Sequence, residues 1–197
     1  MIVLITGGAQ SGKSKFAEQY AAKLGPEGIY VATMERGDEE TKRKIERHVT
    51  IRNKAGFFRE TREVPLMLAD ELESIRIESR SLRAQRRVIL VDCLTMWLSN
   101  LLHVEMEQSE HPEEAVHAAV DELAETLKRM RNPVLLVTNE VGDGIVPAYP
   151  LGRLYRDLAG QMNQAIAAIS DQVFLVTAGV PVELKSMAFR LDEPPEF

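Results

Sequence analysis

The residues with the clearest chemistry lie near the start of the chain, in ITGGAQSGKSKFAEQY (5–20). The pattern G-x-x-x-x-G-K-[ST] is matched by Gly7, Gly12, Lys13 and Ser14. Glycines at these positions let the backbone curl so that its N–H groups face phosphate oxygens, and a following helix N-terminus adds partial positive charge. A glycine-rich turn with an incidental lysine is the alternative. The apolar run before the motif and the helical spacing after it favour a phosphate-binding loop, in which Lys13 reaches the β- and γ-phosphates and Ser14 binds Mg²⁺.

A carboxylate suited to the same metal ion is Asp92, which ends the apolar run RVILVD (87–92). An acidic residue at the end of such a strand can face Mg²⁺ directly or through water. It can equally cap the next helix. Together with the phosphate loop, Asp92 indicates a P-loop nucleotide-binding protein, a class that includes kinases, switches and motors.

His48 is a third candidate, late in the very polar stretch DEETKRKIERHV (38–49), which we predict to be a helix with few apolar anchors. A neutral imidazole can act as a nucleophile, and the neighbouring basic side chains could hold a polyphosphate. The same pattern fits a solvated histidine whose basic neighbours pair with nearby acids at i, i+4 spacing.

The stretch TNEVGDGIVP (138–147) follows another apolar run, so Asn139 and Glu140 are predicted to lie at the carboxyl edge of a sheet, where ligands bind in open α/β folds. The alternative is a plain turn, in which Gly142, Gly144 and Pro147 serve backbone shape alone.

Strands and helices that would position these residues alternate along the chain. Apolar runs predict strands at 2–6, 28–33, 87–92, 133–138 and 172–177. Helical spacing predicts helices over 13–25 (with Gly25 as a C-cap), 64–75, 93 to about 102, 112–130 and about 151–170. Residues 77–87 and 103–114 are predicted to be exposed connections. We therefore predict one α/β domain over 1–197, a P-loop NTPase-type, mostly parallel sheet with helices on both faces.

Composition excludes several classes of protein. The 197 residues carry a net charge of −6, which argues against a nonspecific nucleic-acid binder but not against a nucleotide pocket. A single cysteine, Cys93, rules out an intramolecular disulfide and fits a reducing compartment. We see no signal peptide and no apolar run near the roughly 20 residues of a membrane helix, so we expect a cytoplasmic protein.

Five segments in this order resemble one family closely: ITGGAQSGKSKFAE, YVAT, DEETKRKIERH, ILVDCLTMWLSNLL and VTNEVGDGIVPAYPLGRLYRDLAGQMNQAIA. It is the bifunctional adenosylcobinamide kinase / adenosylcobinamide-phosphate guanylyltransferase family of cobalamin assembly, and the resemblance runs from about residue 2 to 185. It implies phosphorylation of the aminopropanol hydroxyl of adenosylcobinamide by ATP or GTP. It also implies transfer of GMP from GTP onto that phosphate through a GMP-histidine, a need for Mg²⁺, and a homotrimer.

The resemblance also implies roles for individual residues. His48 becomes the nucleophile because Arg43, Ile45 and His48 match the family's R-x-I-x-x-H pattern, and Lys13 is the second catalytic residue. The implied metal ligands are Ser14 and Asp92. The implied nucleotide-binding residues are Gly7, Gly8, Ala9, Gln10, Ser11, Gly12, Lys13, Ser14, Thr33, Met34, Glu35, Val49, Thr50, Ile51, Arg52, Glu63 and Asp92.

The chain departs from the family pattern after His48. Many relatives have an Arg-Pro step, a tryptophan and then Thr-x-Glu, whereas this chain reads RNKAGFFRETREVP (52–65). Thr61 and Glu63 fit the Thr-x-Glu pair best, with Glu60 as a second possibility. Three alternatives therefore stay open: a P-loop small-molecule kinase without guanylyl transfer, a family member that has lost one activity, and a nucleotide-dependent switch.

Overall fold

The computed structural model describes residues 1–35, 56–81 and 84–189. His48 and the predicted helix over 38–49 lie outside the described residues, as do Val49, Thr50, Ile51 and Arg52.

The described residues form one seven-stranded sheet with the order β3-β2-β4-β5-β1-β6-β7. All neighbouring strands are parallel except β6 and β7, which are antiparallel. The strands are β1 (Ile2–Thr6), β2 (Gly28–Ala32), β3 (Phe58–Glu63), β4 (Val88–Asp92), β5 (Val134–Val137), β6 (Gln172–Thr177) and β7 (Val180–Glu183). This arrangement confirms the predicted mostly parallel sheet.

Helices cover both faces of the sheet, as predicted. They are α1 (Lys13–Leu24), α2 (Leu68–Glu78), α3 (Leu94–Gln108), α4 (Pro112–Arg129) and α5 (Pro150–Ile169), with short 3₁₀ turns at Ala84–Arg86 and Lys185–Met187. Ala17 and Ala21 of α1 pack on the face that Val3 and Ile5 present. The other four helices pack on the opposite face, where Leu4 is buried.

The interior strands are buried on both sides, which explains why they read as continuous apolar runs. All five residues of β1 and all four of β5 are buried. Full burial of each large aliphatic side chain contributes about 1.5–3 kcal/mol. Alternate residues of one strand therefore supply the two cores, and the sheet needs no polar face.

Several predicted boundaries were wrong. Residues 103–114 were predicted to be an exposed connection, but α3 continues to Gln108, whereas the predicted start of the next helix at 112 is confirmed. The apolar pattern fades before the helix ends, since Met106 is 48% exposed. Helix α2 runs over Leu68–Glu78 rather than 64–75, so it takes the first part of the predicted 77–87 connection. Gly25 does cap α1, but in an extended conformation rather than a left-handed one.

Two strands were not predicted at all. In β3, FRETRE, only Phe58 is buried, so the strand shows no apolar run. Pairing with β2 forms it, and Arg62 ties it to α2 through ion pairs with Glu71 and Glu78. Strand β7 is short, carries Pro181 and pairs only with β6 among the described strands.

Candidate nucleotide-binding site

The phosphate loop joins the end of β1 to the start of α1, and its two defining glycines are required by space as well as by conformation. Gly7 has φ +153°, and a Cβ there would lie 2.4 Å from the carbonyl oxygen of Val176. Gly12 has φ +94°, and its Cβ would lie 3.2 Å from Cα of Gly179. The turn between β6 and β7 therefore packs directly against the loop. The Gly179 N–H donates to the Ser11 carbonyl oxygen at 2.8 Å and fixes the loop's middle.

Lys13 is 8% exposed, and its Nζ donates to the Gly8 carbonyl oxygen at 2.9 Å. The ammonium group thus lies over the loop that would hold phosphates. Burial lowers the pKa of Lys13, while the nearby Asp92 carboxylate acts in the opposite direction. A phosphate next to Nζ would favour the charged form and oppose the effect of burial.

Asp92 lies level with the end of β1, with β5 between them. Val137 of β5 pairs with Ile5 on one side and with Asp92 on the other. Strands two apart in a sheet are separated by about 10 Å. The carboxylate therefore lies at the same edge of the sheet as the phosphate loop, as the sequence predicted.

Tyr30 holds the Asp92 carboxylate and was not singled out from the sequence. Its hydroxyl donates to Oδ2 of Asp92 at 2.9 Å, and its side chain is only 4% exposed. The contact arises because β2 pairs with β4 in a register that places Ala32 opposite Asp92, two residues beyond Tyr30. Nothing in the sequence alone distinguishes Tyr30 from an ordinary core residue of a strand.

The oxygen atoms available at this edge fit Mg²⁺. Ser14 is the second residue of α1 and is half-buried, and Asp92 offers a carboxylate. Magnesium bound to a nucleotide takes one or two protein oxygens and completes its shell with phosphates and water. Within the described ranges, no group of three or more His, Cys, Asp or Glu side chains could hold a metal ion.

Thr33 is completely buried, and its hydroxyl is committed to the protein chain. Oγ1 donates to the Cys93 carbonyl oxygen at 2.7 Å and accepts from the Cys93 N–H at 2.8 Å. The Asn100 amide then donates to the Thr33 carbonyl oxygen at 2.8 Å. Thr33 therefore fixes the end of β4 and with it Asp92. Met34, 36% exposed, and Glu35, also exposed, follow at the same edge.

Residues after β5 form a second support for the phosphate loop. The N–H of Glu140 donates to the Gly7 carbonyl oxygen at 3.1 Å. The fully buried Thr138 donates to Oδ1 of Asn163 at 2.7 Å, and the Asn163 amide donates to the Asn139 carbonyl oxygen at 3.2 Å. Asn139 in turn donates to Thr95 at 2.7 Å. The stretch after β5 is therefore part of the site's framework rather than a detached turn.

Two neighbouring groups that could ionise are kept neutral by burial. Burial raises the pKa of the Cys93 thiol, and the Asp92 charge adds to the effect. Burial also raises the pKa of Tyr155 to about 12. Both groups therefore stay protonated at neutral pH and add no charge to this edge.

Glu63, at the end of β3, is separated from Asp92 by β2, because Ala32 pairs with both residues. Glu63 is exposed and lines a cavity of about 560 Å³ that also reaches Met67 and Glu71 of the loop and helix after β3. Thr61 and Glu60 are exposed on the same strand.

Comparison with known proteins identifies similar sequences over nearly the whole chain. The family model described as cobinamide kinase / cobinamide phosphate guanyltransferase matches residues 3–184. The bifunctional adenosylcobalamin biosynthesis protein CobP of Pseudomonas aeruginosa is 41% identical over 182 residues, covering 92% of this chain and 96% of that protein. The corresponding protein CobU of Salmonella typhimurium is 35% identical over 193 residues, covering 94% and 100%.

Solved structures show the fold alone. An ATP synthase subunit, NeqB of Nanoarcheaum equitans, superposes with a TM-score of 0.51 at 12% identity, covering 88% of this chain and 45% of that one. The likeness agrees with the parallel sheet described above. Among the described helices, none combines the length and apolar character needed to cross a membrane.

Proposed function

The chain belongs to the cobinamide kinase / cobinamide phosphate guanyltransferase family, and we propose that it serves both of that family's reactions with one nucleotide site. It is an enzyme of cobalamin biosynthesis that transfers a phosphoryl group and then a guanylyl group. The observation that carries the proposal is the phosphate loop, with Lys13 folded over it and Asp92 level with it, in a chain matched over residues 3–184.

In the kinase step, the described residues bind and align the nucleoside triphosphate. Lys13 exchanges the Gly8 carbonyl oxygen for a phosphate oxygen, and the loop N–H groups supply further donors. Ser14 and Asp92 would hold Mg²⁺, which neutralises charge on the phosphates. The aminopropanol hydroxyl of adenosylcobinamide then attacks the γ-phosphorus in line, and the bond to the nucleoside diphosphate breaks. Positioning of the two reactants supplies most of the catalysis in such a transfer.

Tyr30 and Thr33 contribute by position. The Tyr30 hydroxyl occupies one oxygen of Asp92, which leaves the other oxygen for a ligand. Thr33 holds the Cys93 peptide through two hydrogen bonds and thereby fixes where β4 ends. Both side chains are buried, so neither has to reorder when the nucleotide binds.

The guanylyl step is assigned to His48 by the family pattern Arg43-x-Ile45-x-x-His48. Its imidazole attacks the α-phosphorus of GTP, pyrophosphate leaves, and a GMP-histidine phosphoramidate forms. The phosphate of the acceptor then attacks the same phosphorus, which releases His48 and gives adenosylcobinamide-GDP. Two displacements thus replace one difficult transfer between phosphates.

The kinase donor, ATP or GTP, and the need for Mg²⁺ are decided by one product experiment. Purified protein is mixed with adenosylcobinamide and each γ-labelled nucleotide, with and without Mg²⁺, and later with GTP labelled at the α-phosphate. We expect a labelled corrinoid phosphate first and a guanylylated corrinoid second, both only with Mg²⁺. A phosphorylated corrinoid that never receives GMP would support the simple kinase instead, and no labelled corrinoid in either step would contradict the proposal.

A homotrimer in the cytoplasm, which the resemblance implies, stays a prediction. Apolar side chains of β7 and the residues after it are exposed, including Val180, Val182, Met187 and Phe189. Subunits of an oligomer commonly cover surfaces of this type. Light scattering at micromolar concentration should give three times the mass of one chain, and a monomer at all concentrations would contradict it.

A further inference from the structure

Two neighbouring cavities lie along α5, on the face of the sheet opposite α1. One has a volume of about 550 Å³ and the other about 270 Å³, and both are lined by Gly160 and Gln164. We call the combined space the α5 groove, lined by Thr6, Glu140, Arg156, Gly160, Asn163 and Gln164. The backbone of Glu140 and the Asn163 carboxamide also support the phosphate loop, but the open space itself has no role in that support.

Gly160 is the first sign that the groove is kept open for a ligand. It lies in the interior of α5, where glycine destabilises a helix relative to alanine. Packing does not require it, because a Cβ there would meet no other heavy atom within 4 Å in the described part of the protein. Gly152 of the same helix is different, since its Cβ would lie 2.6 Å from the Tyr149 ring. The absence of a side chain at Gly160 therefore leaves the groove open, and the described contacts show no other role for this glycine.

Thr6 is the second sign. It is 8% exposed and lines the smaller cavity, yet its hydroxyl has no hydrogen-bond partner among the described residues. A buried polar group without a partner is destabilising, so such groups in native proteins need an explanation. Thr6 directly precedes Gly7, the first glycine of the phosphate loop. A ligand atom that bonds this hydroxyl would therefore lie next to the loop.

Two uncharged side chains of the groove favour amides as ligands, whereas the Arg156 guanidinium of the same lining already donates to a backbone carbonyl oxygen. Asn163 is fixed by Thr138 and Asn139, which leaves one amide hydrogen and one lone pair for a ligand. Gln164 presents a second carboxamide at the groove. A carboxamide both donates and accepts, so it complements another amide better than it complements a phosphate.

We propose that the α5 groove binds the acceptor, and specifically the amide-linked aminopropanol arm of the corrinoid with its neighbouring peripheral amides. This assignment rests on the proposed function, because that function supplies an acceptor whose hydroxyl must reach the phosphate loop. The Glu140 N–H bonds the Gly7 carbonyl oxygen, so the groove and the loop share one wall. An arm in the groove would bring its terminal hydroxyl to the γ-phosphate from the face opposite α1.

The test replaces Gly160 with larger residues, whose side chains would occupy the groove. Gly160→Leu places a side chain in the groove, Gly160→Ala places one methyl group there, and Ala118→Leu adds the same side chain to an exposed position of α4. The KM for adenosylcobinamide, the Kd for GTP with Mg²⁺ and the Tm are measured for each protein. We expect Gly160→Leu to raise the KM at least tenfold and Gly160→Ala several-fold, with the Kd for GTP within twofold of the parent. Ala118→Leu should match the parent in both constants.

Thr6→Val is a second, independent variant, because it keeps the shape of the side chain and removes only the hydroxyl. We expect a several-fold rise in the KM for adenosylcobinamide with an equal or higher Tm, since an unpaired buried hydroxyl has been removed. If Gly160→Leu does not fold, Gly160→Ala and Thr6→Val decide the matter.

The outcomes separate the groove from the proposed function. A parent enzyme that phosphorylates adenosylcobinamide, together with variants of unchanged KM, would overturn the groove assignment alone. Equal losses of affinity for GTP and for the corrinoid would also overturn it, because the groove would then affect the nucleotide. A parent that does not phosphorylate the corrinoid at all would overturn both.

Discussion

Replacing Tyr30 with phenylalanine should weaken the use of Mg²⁺ while leaving the sheet intact. The change removes the 2.9 Å hydrogen bond from the Tyr30 hydroxyl to Oδ2 of Asp92. The ring stays, and its edge-to-face contact with Phe58, with ring centroids 5.4 Å apart, is kept. Asp92 would then be free to turn away from the position in which we propose that it holds Mg²⁺.

The magnitude follows from the type of hydrogen bond. A hydrogen bond to an ionised group contributes about 1.5–3 kcal/mol. Because Asp92 is only half-buried, water can partly replace the hydroxyl, so we take the lower end. About 1.4 kcal/mol corresponds to a factor of about ten in an equilibrium constant. We therefore expect the Mg²⁺ concentration for half-maximal kinase activity to rise about tenfold, with kcat at saturating Mg²⁺ within about threefold of the parent.

Tyr20→Phe provides the matched control for this measurement. It also removes a tyrosine hydroxyl, one that donates to Oε1 of Gln172 at 2.7 Å, from a ring packed against Phe16 and Phe174. Initial kinase rates are measured against free Mg²⁺ for both variants, together with Tm. A Mg²⁺ curve for Tyr30→Phe that coincides with those of the parent and of Tyr20→Phe, whatever its Tm, would refute the reasoning and leave Tyr30 as a core residue.

Three further changes have outcomes that the structure predicts. Gly12→Ala should weaken GTP binding at least tenfold in calorimetry, because a side chain at positive φ costs about 1–2 kcal/mol and its Cβ would press on Gly179; unchanged binding would contradict the loop geometry. Thr33→Val should lower the free energy of unfolding by about 1–3 kcal/mol in urea, since the buried Cys93 N–H loses its partner, while the Cys93 carbonyl oxygen keeps its hydrogen bond from the Trp97 N–H. Thr33→Ser should recover most of the loss, and equal losses in the two variants would contradict this explanation. Backbone N–H groups of β6 and of the turn after β7 donate to the Glu183 carboxylate and lower its pKa. The ionised carboxylate therefore stabilises the folded protein above the ordinary pKa of about 4.3, and this stabilisation is lost as the pH falls through the lowered pKa. Glu183→Gln should therefore reduce the Tm at pH 7 but not near pH 2, and a loss of equal size at both would contradict the charge-based explanation.

Interior strands could be predicted because burial on both faces requires a continuous run of apolar residues in the sequence. The runs that became β1, β4, β5 and β6 were all predicted within a residue at either end. Strand β3 could not be, because five of its six residues lie outside the core and its sequence is mostly charged. It forms a strand because its backbone pairs with the edge of β2, and that pairing depends on the fold rather than on the sequence FRETRE itself.

The order of the strands in the sheet also could not be predicted from the sequence. Local pattern says nothing about β5 lying between β1 and β4, yet that placement sets the distance between the phosphate loop and Asp92. The right-handed rule for parallel crossovers limits the arrangements but does not choose one.

Some residues of the candidate site could also be predicted from the sequence, and others could not. Lys13, Ser14 and Asp92 were predicted from motif and strand context, and the structure brings them to one edge of the sheet. Tyr30 was missed because its contact depends on the register of β2 against β4. Thr33 was predicted near the nucleotide, but its buried hydroxyl bonds the Cys93 peptide, which no sequence pattern indicates.

The most direct test of the central claim, that guanylyl transfer passes through GMP bound to His48, is to look for the intermediate itself. The protein is incubated with GTP labelled at the α-phosphate and with Mg²⁺, without acceptor, and then denatured. His48→Ala is run beside it, with His117→Ala, an exposed residue of α4, as the control. We predict label that survives base and is released by acid on the parent and on His117→Ala, and none on His48→Ala. Label that persists on His48→Ala would contradict the assignment of the nucleophile, and a parent that never becomes labelled would contradict the guanylyl-histidine route.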